Sequence, residues 1–426
     1  MSIAQNEKIG RITEKTLVIG VDVAKKNHVA RASTFRGMEV GKAITFTNDR
    51  IGLNRLWHWA VELLEQTSLE TMMVGLEPTG HYWMNLAQYF RERDVQVVLV
   101  NPLHVKRSKE LEDNSPTKND RKDARVISQL VKDGRYSIPH IPEGVFAELR
   151  VGMNHYERIA TDLTRVQARV HQWLDRYFPE FTEVFASWEG KAALYCLRRM
   201  PLPADVLQYT AESIVNMWRE NGLTQGVSAK RAFELLEQAQ ESVGLKGAQE
   251  MAREELNLLL QQYDFFQQQR QRLLEKIKDL LTEIPYAENL QSIPGMSLIT
   301  VAGLLAELGD ISQYGHWKQM QKLAGLNLKE NSSGKHKGET HITKRGRRRL
   351  RAILFRVAFS GVAHTPEWKA LHRYYTKRTE NPLKPMQSLM AICGKVLRVL
   401  HVLGTRNIAY DAKLALGPVQ AERLSA

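Results

Sequence analysis

The stretch Thr16-Leu-Val-Ile-Gly-Val-Asp22 is an apolar run that ends in an acid. Thr71-Met-Met-Val-Gly-Leu-Glu77 repeats this pattern, and Asn119-Asp-Arg-Lys-Asp-Ala-Arg125 supplies Asp120 and Asp123 at the start of a predicted helix. Strand ends release their side chains at one edge of a sheet, and a three-residue spacing puts two side chains on one helix face, roughly 5–6 Å apart at Cβ. The pattern predicts that the four carboxylates meet.

Four converging carboxylates predict a metal centre. Left bare, they would repel one another and raise each other's pKa, whereas two divalent ions offset the charge, activate the attacking oxygen and stabilise the leaving oxygen. Taken singly, Asp22 and Glu77 are also common turn acids, and Asp120 with Asp123 is also a common helix cap with a dipole partner. Their order along one α/β unit favours phosphodiester chemistry with two Mg²⁺ ions.

Residues 16 to about 135 predict a mixed α/β fold. We predict strands at 16–22, 27–34, 42–47, 71–77 and 95–101, and helices at about 50–66, 81–93 and 119–133. Three initial strands followed by alternating helices and strands indicate an RNase H-like sheet rather than a doubly wound dinucleotide fold, and the chain contains no G-x-G-x-x-G or P-loop motif. The polar segment 106–118 is expected to be a mobile loop.

The chain as a whole is basic, with 60 Lys and Arg against 47 Asp and Glu in 426 residues and a formal net charge of +13. This balance favours a polyanionic partner, with an anionic membrane as the weaker alternative. No run of 18 apolar residues and no apolar leader is present, so we expect a cytoplasmic protein with no membrane segment. Cys196 and Cys393 form no metal or disulfide motif, which leaves oxygen ligands for any metal.

Two long heptad runs predict a coiled-coil arm. The first run is Tyr156, Ile159, Leu163, Val166, Val170, Trp173 and Tyr177. The second run is Leu256, Leu259, Tyr263, Phe266, Arg270, Leu273, Ile277, Leu280 and Ile284. The alternative is a pair of amphipathic helices that pack within their own domain. The two runs bracket a helical insertion, from about 180 to 250, whose composition predicts no chemistry.

The last third of the chain carries a second charged feature. Ile293-Pro-Gly295 leads into an apolar helix and predicts a helix-hairpin-helix that contacts phosphate, with a plain core helix as the alternative. Residues 335–356 hold nine Lys and Arg and one acid, which predicts nucleic-acid backbone binding. The predicted binding residues are Lys335, Lys337, Lys344, Arg345, Arg347, Arg348, Arg349 and Arg351. From spacing alone, Ser332 or Ser333 is a weak candidate nucleophile.

Together these motifs resemble the DEDD transposases of the insertion-sequence one-ten family. In that family an RNase H-like, RuvC-like domain is joined to a C-terminal transposase domain that holds a serine. The matching pieces span nearly the whole chain in the right order: Gly20-Val-Asp22-Val-Ala-Lys25, Glu77-Pro-Thr-Gly80 with Tyr82, Asn119-Asp120-Arg-Lys-Asp123-Ala124, Ile293-Pro-Gly295 through Ala306-Glu-Leu-Gly-Asp310, Lys322-Leu-Ala-Gly-Leu326, and Ser333-Gly334 through Lys344-Arg-Gly346 to Leu350-Arg351.

The resemblance implies that Asp22, Glu77, Asp120 and Asp123 are the metal ligands and that Ser333 is the nucleophile, which forms a covalent phosphoserine intermediate. It implies cleavage and exchange of donor and target DNA, guided by a structured noncoding bridge RNA that the element encodes. It also implies a homo-oligomer, a dimer that becomes a tetramer in the synaptic complex, with a composite site between protomers. The expected location is the bacterial cytoplasm, in association with the nucleoid.

The expected domains are an RNase H-like nuclease domain at 1–145, a coiled-coil arm with a helical insertion at 146–288, and a helical transposase domain at 289–426. Two departures from the family occur. Lys118-Asn119-Asp120 stands where Lys-Thr-Asp is frequent, and the insertion at 180–250 is longer than in compact members, which leaves its RNA contacts open.

Two other classes of function remain open at this stage. A RuvC-like junction resolvase or related metal-dependent nuclease needs the four acids but no serine, and a non-catalytic RNA-binding scaffold needs only the basic tract. A covalent protein–DNA adduct separates the transposase from the nuclease. Metal-dependent cleavage separates both enzymes from the scaffold.

Overall fold

The computed structural model describes residues 3–78, 80–112, 120–139, 141–329, 332–333, 336–337 and 340–412. The chain divides into two compact units, Met1–Ile141 and Pro142–Ala426. The first unit is mixed α/β and the second is mostly helical, so the predicted order of an α/β region followed by a helical region is confirmed.

The first unit alternates strands and helices after an initial meander. Its strands are Thr16–Asp22 (β1), Asn27–Ser33 (β2), Glu39–Thr47 (β3), Thr71–Leu76 (β4), Gln96–Val100 (β5) and Tyr136–Ser137 (β6). Its helices are Ile3–Gly10 (α1), Arg50–Thr67 (α2), Trp83–Arg91 (α3), Pro102–Glu112 (α4) and Asp120–Lys132 (α5). The five longer strands and α2, α3 and α5 were all predicted, with bounds that differ by up to three residues.

The six strands described in this unit form one mixed sheet in the order β3-β2-β1-β4-β5-β6. β1, β2 and β3 form an antiparallel meander, β1, β4 and β5 run parallel, and β6 lies antiparallel to β5. Because three consecutive strands are followed by helical crossovers, this sheet is consistent with the predicted RNase H-like fold. The carboxyl ends of β1, β4 and β5 lie at one edge.

Helices cover both faces of this sheet. α2 and α3 pack on one face, where Leu56 and Phe90 are fully buried. α5 packs on the other face, where Ile127 and Val131 are fully buried. β1 is therefore enclosed on both sides, which explains its continuous apolar sequence.

The expected mobile loop at 106–118 is wrong for the part that the structure describes, because α4 extends through residue 112. Asn101 caps the start of this helix, because its side-chain oxygen accepts a hydrogen bond from the Leu103 amide, 2.9 Å away. Pro102, at the first helical position, has no N–H group that would need an acceptor. Val105 is buried in the sheet core. Since α4 has few other apolar residues, its period is too weak to recognise from sequence. Residues 113–119 lie outside the described residues.

The second unit is built mainly from helices. They are Gly144–Tyr177 (α6), Phe181–Val184 (α7), Lys191–Arg199 (α8), Pro203–Val206 (α9), Ala211–Glu220 (α10), Ala229–Glu241 (α11), Gln249–Thr282 (α12), Ala287–Gln291 (α13), Leu298–Leu308 (α14), Trp317–Ala324 (α15), Arg348–His364 (α16), Pro366–Lys377 (α17) and Pro385–Arg406 (α18). Ile311–Gln313 is a 3₁₀ turn, and the short strands are Leu328–Lys329 (β7), Ser332–Ser333 (β8), His336–Lys337 (β9) and His341–Ile342 (β10).

The two heptad helices, α6 and α12, pack against each other within one chain. Near one end, the indole N–H of Trp173 donates to the Ala252 carbonyl oxygen at 2.8 Å. Near the other end, a Cβ placed on Gly152 would lie 3.6 Å from Ile277. Late residues of α6 thus meet early residues of α12, so the pair is antiparallel. Much of both apolar stripes is buried in this contact: Leu163, Val166, Val170, Leu256, Leu259 and Tyr263.

The described residues of the second unit form two apolar cores. One core joins α7–α11 to the end of the α6/α12 pair where Trp173 meets Ala252, and it contains Trp188 and Trp218. The other core joins α13–α18 to the opposite end of the pair, at Leu149 and Ile277. The predicted division into three domains stays a prediction.

α18 is the one described helix that is long and apolar enough to cross a membrane by length and composition alone. Its apolar side chains are used inside the second unit, where Ile392, Cys393, Leu397 and Leu400 are fully buried. We therefore interpret α18 as a core helix.

Candidate functional site

Asp22 and Glu77 lie side by side at the carboxyl edge of the sheet. β1 and β4 are parallel neighbours, and Val21 is paired with Leu76, so the next residue on each strand is one of the two acids. Paired residues on parallel strands direct their side chains to the same face. Both acids are half-buried. The strand register therefore places the two acids next to each other on one face of the sheet, and the meeting of all four carboxylates stays a prediction.

Two glycines allow α5 to lie directly on this face of the sheet. Gly20 and Gly75 are paired with each other, two residues before the acids. A Cβ at Gly20 would lie 2.1 Å from the Ala124 carbonyl oxygen, and a Cβ at Gly75 would lie 2.3 Å from the Val131 Cγ2. Because side chains alternate along a strand, each glycine shares its face with the acid that follows it. The glycines thus let α5 bring its first turns to the acidic edge.

Asp123, in the first turn of α5, is buried, with 6 % of its surface exposed. Its Oδ2 forms an ion pair with the ammonium group of Lys109 on α4. Its Oδ1 is buried and has no hydrogen-bond partner among the described residues. An unpartnered buried carboxylate oxygen is strongly unfavourable unless something binds it.

The electrostatics of Glu77 connect these groups. Burial raises the pKa of Glu77 above its ordinary value, the positive charge of Lys109 lowers it, and the negative charge of Asp123 raises it further. The Glu77 carboxylate therefore lies within electrostatic reach of both residues. We call Asp22, Glu77 and Asp123 the acidic edge.

The donor chemistry of the acidic edge fits a divalent cation, since hard cations such as Mg²⁺ prefer carboxylate oxygens and Asp123 Oδ1 offers one that accepts no hydrogen bond from a described residue. The fit is incomplete in geometry. Among the side chains that the structure describes, no three His, Cys, Asp or Glu residues are close enough to hold one ion. Asp120, the fourth predicted ligand, begins α5, but its side chain lies outside the described residues.

Ser333 lies in β8, which pairs with β9 as a two-residue antiparallel ribbon. Ser332 is opposite Lys337, and Ser333 is opposite His336. Their side chains are outside the described residues, as is all of Lys335. The roles of Ser333, Lys335 and Lys337 stay predictions.

The predicted basic tract divides into exposed and internally bonded residues. Lys344, Arg345 and Arg348 are exposed. Arg351 donates to the Ala324 carbonyl oxygen at 2.9 Å. Arg347 and Arg349 form part of a larger network.

That network surrounds Glu307 of α14, which is buried. Arg347 donates to the Glu307 carbonyl oxygen, and one guanidinium nitrogen of each arginine lies 3.8 Å from the Glu307 carboxylate. Arg349 also donates to Glu157 of α6 at 2.8 Å. Burial, reinforced by the charge of Arg150, lowers the pKa of Arg347. Both arginines therefore have partners inside the fold, which their charge did not reveal, and their predicted contact with nucleic acid stays a prediction.

The Pro-Gly turn before α14 packs inside the second unit. Gly295 has φ +82°, and a Cβ there would lie 2.8 Å from the Ser360 hydroxyl oxygen of α16. Ser297 caps α14 by accepting a hydrogen bond from Thr300. Residues Val301 to Leu308 of α14 are all buried, as expected for a core helix. Phosphate binding by this turn stays a prediction.

Lys109 is the described site residue that sequence reasoning missed. Its helix was interpreted as a loop, so the lysine had no predicted place. The available signal was Asn101-Pro102, a helix-capping residue followed by a proline suited to the first helical position.

Two family models match parts of this chain. A family model for DEDD transposases of the IS110 type, described as "Transposase", matches residues 19–179. A second, described as "Transposase IS116/IS110/IS902 family", matches residues 287–373. The first match contains the acidic edge, and the second contains the basic tract.

Several relatives extend the similarity. The mini-circle putative transposase for IS117 of Streptomyces coelicolor is 25% identical over 95% of this chain and 97% of its own length. The IS110 uncharacterized 43.6 kDa protein of the same organism is 24% identical over 70% of this chain and 74% of its own length. The pilin gene-inverting protein of Moraxella bovis is 22% identical over 93% of this chain and 98% of its own length. Because the two family models together match more than half of the chain, it belongs to the IS110 family of DEDD transposases, enzymes that act on DNA.

Proposed function

We propose that this insertion-sequence transposase cleaves and exchanges DNA strands with two cooperating sites, an Asp22/Glu77/Asp120/Asp123 metal centre and a Ser333 nucleophile. The observation that carries the proposal is the docking of α5 on Gly20 and Gly75. This contact brings Asp123 to the edge that holds Asp22 and Glu77, and one Asp123 oxygen has no hydrogen-bond partner among the described residues.

Two bound Mg²⁺ ions would polarise the scissile phosphate and stabilise the charge of the transition state. The four acids would hold and orient these ions. The Ser333 hydroxyl would attack phosphorus, the bond from phosphorus to the leaving strand would break, and the serine proton would pass to solvent. A phosphoserine bond keeps the phosphodiester energy that hydrolysis would discard, so a new strand can be joined without ATP. The sequence contains no P-loop motif, which is consistent with strand joining that does not use ATP.

The exposed cations of the basic tract would hold the nucleic-acid backbone. Lys344, Arg345 and Arg348 are free of the network around Glu307 and are accessible. Lysine and arginine that neutralise phosphates bind without reading the bases. Sequence choice would then come from a structured RNA of the element that pairs with donor and target DNA, as the family resemblance implies.

We further propose a homo-oligomer in which the acidic edge of one protomer serves the Ser333 of its partner. The basis is the family resemblance, together with the division of the chain into two compact units, the first of which holds the acidic edge and the second Ser333. The antiparallel α6/α12 pair would be the coiled-coil arm, although its apolar stripes pack within one chain. The cytoplasm, at the nucleoid, is the proposed location.

A junction nuclease without a serine step is the main alternative. Two Moraxella relatives are named pilin gene-inverting proteins, and gene inversion favours recombination over plain cleavage. A covalent protein–DNA adduct would decide between the two functions.

The experiment uses end-labelled DNA of the element, its RNA and Mg²⁺, with adducts separated under denaturing conditions. We expect Ser333→Ala to eliminate the adduct and the matched control Ser332→Ala to retain most of it, since attack requires an oxygen positioned within about 3–3.5 Å of phosphorus. A persistent adduct in Ser333→Ala refutes the nucleophile.

Mixing Ser333→Ala with Asp22→Asn chains tests the shared site. Mixed oligomers should recover one active centre and form adduct, whereas neither variant alone should. Verified mixed assembly without adduct contradicts a site shared between protomers.

A further inference from the structure

We infer that Lys109 is the resident counter-ion of the acidic edge: its ammonium group takes a cation's place beside Asp123 in the metal-free enzyme and withdraws when divalent ions bind. This inference deepens the proposed function and rests on it, because it assumes that the acidic edge binds those ions. It assigns a role to a residue outside the predicted ligand set.

The fold brings Lys109 to the acidic edge. β5 is parallel to β4, with Leu99 paired to Leu76, so α4 begins at the same edge that holds Glu77. Val105 fixes the inner face of α4, since it is buried in the sheet core. Residues four apart lie on the same helix face, so Lys109 follows Val105 on that inner face.

The contacts of Lys109 are those of a counter-ion. Its ammonium nitrogen pairs with Asp123 Oδ2, and its charge lowers the pKa of Glu77 against the effect of burial. Asp123 is almost fully buried, and a buried carboxylate needs a compensating charge. The lysine side chain keeps 27 % of its surface exposed, which leaves it a path to solvent.

A second ion pair in the same chain shows what a purely structural pair looks like. Arg253 donates to both carboxylate oxygens of Asp205, at 2.6 and 3.2 Å, and the Leu202 amide adds a third bond. Asp123 instead keeps a buried oxygen that no described side chain or backbone group hydrogen-bonds. The Lys109 pair therefore supplies charge but leaves coordination capacity unused.

The chemistry of lysine suits a displaceable cation. An ammonium is a compact charge on a flexible four-carbon stem, whereas an arginine fork holds a carboxylate rigidly with two bonds. Two divalent ions carry more charge than one ammonium and accept more oxygen ligands. Lys109 would thus stabilise the ionised acids in the folded chain before metal binds. It would also reduce the apparent affinity for metal by the fraction of time that its ammonium group occupies the site.

The test measures Mn²⁺ binding to the full-length chain by the paramagnetic resonance of free Mn²⁺. We expect Lys109→Met to bind Mn²⁺ about fivefold more tightly than the unmodified chain if the ion pair is formed about four-fifths of the time. The matched control is Lys106→Met, which removes the same charge from an exposed position one turn away. Asp123→Asn should bind Mn²⁺ most weakly.

Thermal unfolding supplies the second readout. Lys109→Met should melt at a lower temperature than the unmodified chain in EDTA and at the same temperature in saturating Mg²⁺, because metal replaces the missing charge. If Lys109→Met misfolds, both measurements are repeated with Lys109→Gln, which keeps a hydrogen-bond donor but lacks the charge.

Two outcomes overturn the inference and are distinguishable. Equal or weaker Mn²⁺ binding in Lys109→Met, with a loss of melting temperature that persists in Mg²⁺, identifies an ordinary structural ion pair and leaves the proposed function standing. If the unmodified chain binds no Mn²⁺, or if Asp123→Asn leaves its Mn²⁺ binding unchanged, both the metal centre and the counter-ion role of Lys109 are refuted.

Discussion

The acidic edge of the first unit and the basic tract of the second each contain several side chains of like charge. The two regions differ in the partners that these side chains have within the fold. At the acidic edge, Asp123 keeps a buried oxygen that accepts no hydrogen bond from a described residue. In the basic tract, Arg347 and Arg349 share the buried Glu307, whereas Arg348 between them is exposed. The Asp123 oxygen can serve as a ligand for a bound cation, whereas bonds to acids tie Arg347 and Arg349 to the scaffold, with Arg349 Nη2 alone of these guanidinium nitrogens buried without a hydrogen-bond partner among the described residues.

The largest expected effect removes charge from the acidic edge. Asp22→Asn, Glu77→Gln and Asp123→Asn should each reduce strand cleavage by about a thousandfold or more, because each amide deletes a charged ligand with little change in packing. Cleavage assays in Mg²⁺ and melting curves measure activity and folding separately. Asp133→Asn, just past the far end of α5, is the control. Near-normal cleavage in two of the three variants would refute the metal centre.

The next effect breaks the contact that assembles the acidic edge. Gly75→Ala should destabilise the chain by about 1–3 kcal/mol and impair cleavage, because its new methyl meets Val131 Cγ2. Adding Val131→Ala removes that methyl, so the double variant should be more stable than the sum of the single losses predicts. Gly20→Ala meets the backbone oxygen of Ala124, and Val131→Ala should not rescue it.

Denaturant unfolding measures these differences, with Gly10→Ala as control because nothing lies within 4 Å of its added Cβ. Additive losses for Gly75→Ala and Val131→Ala would show that α5 does not rest on Gly75 as described.

A smaller effect separates two adjacent arginines. Arg349→Ala should lower the free energy of unfolding by about 1–3 kcal/mol, because it strips partners from Glu157 and the buried Glu307. Arg348→Ala should leave stability unchanged, since its side chain is exposed. Denaturant unfolding of the two variants compares them directly. Equal stabilities would remove the distinction between scaffold and exposed cations.

The smallest effect concerns DNA binding by the exposed cations. Changing Lys344, Arg345 and Arg348 to Ala should weaken binding to many duplex sequences alike and flatten the dependence of log K on log salt by up to about 0.9 per lost phosphate contact. Titrations at several salt concentrations measure this slope. Loss confined to one target sequence, with the slope unchanged, would indicate base contacts instead.

Much of the acidic edge was predictable, because its signals are local. An apolar run that ends in an acid places Asp22 and Glu77 at strand ends, and the Asp120/Asp123 spacing marks a helix start. α4 was missed because Val105 is one of its few apolar anchors, too few to form a period. Lys109 was missed with it.

The division of the basic tract was not predictable. Arg349 donates a hydrogen bond to Glu157, which is 192 residues away in the sequence, and Arg347 donates one to Glu307, which is 40 residues away. The sequence shows that both arginines are charged but not which acids they will meet, because that depends on how α6, α14 and α16 pack.

By itself, the sequence determined the order of the elements, the acids at the strand ends, the basic charge and the resemblance to a transposase family, since periodicity and motifs are properties of neighbouring residues. Only the tertiary structure decided that paired glycines seat α5 on the sheet, that Lys109 joins the acids and that Arg347 and Arg349 serve the scaffold. These outcomes depend on contacts between residues far apart in the chain, and packing alone brings such residues together.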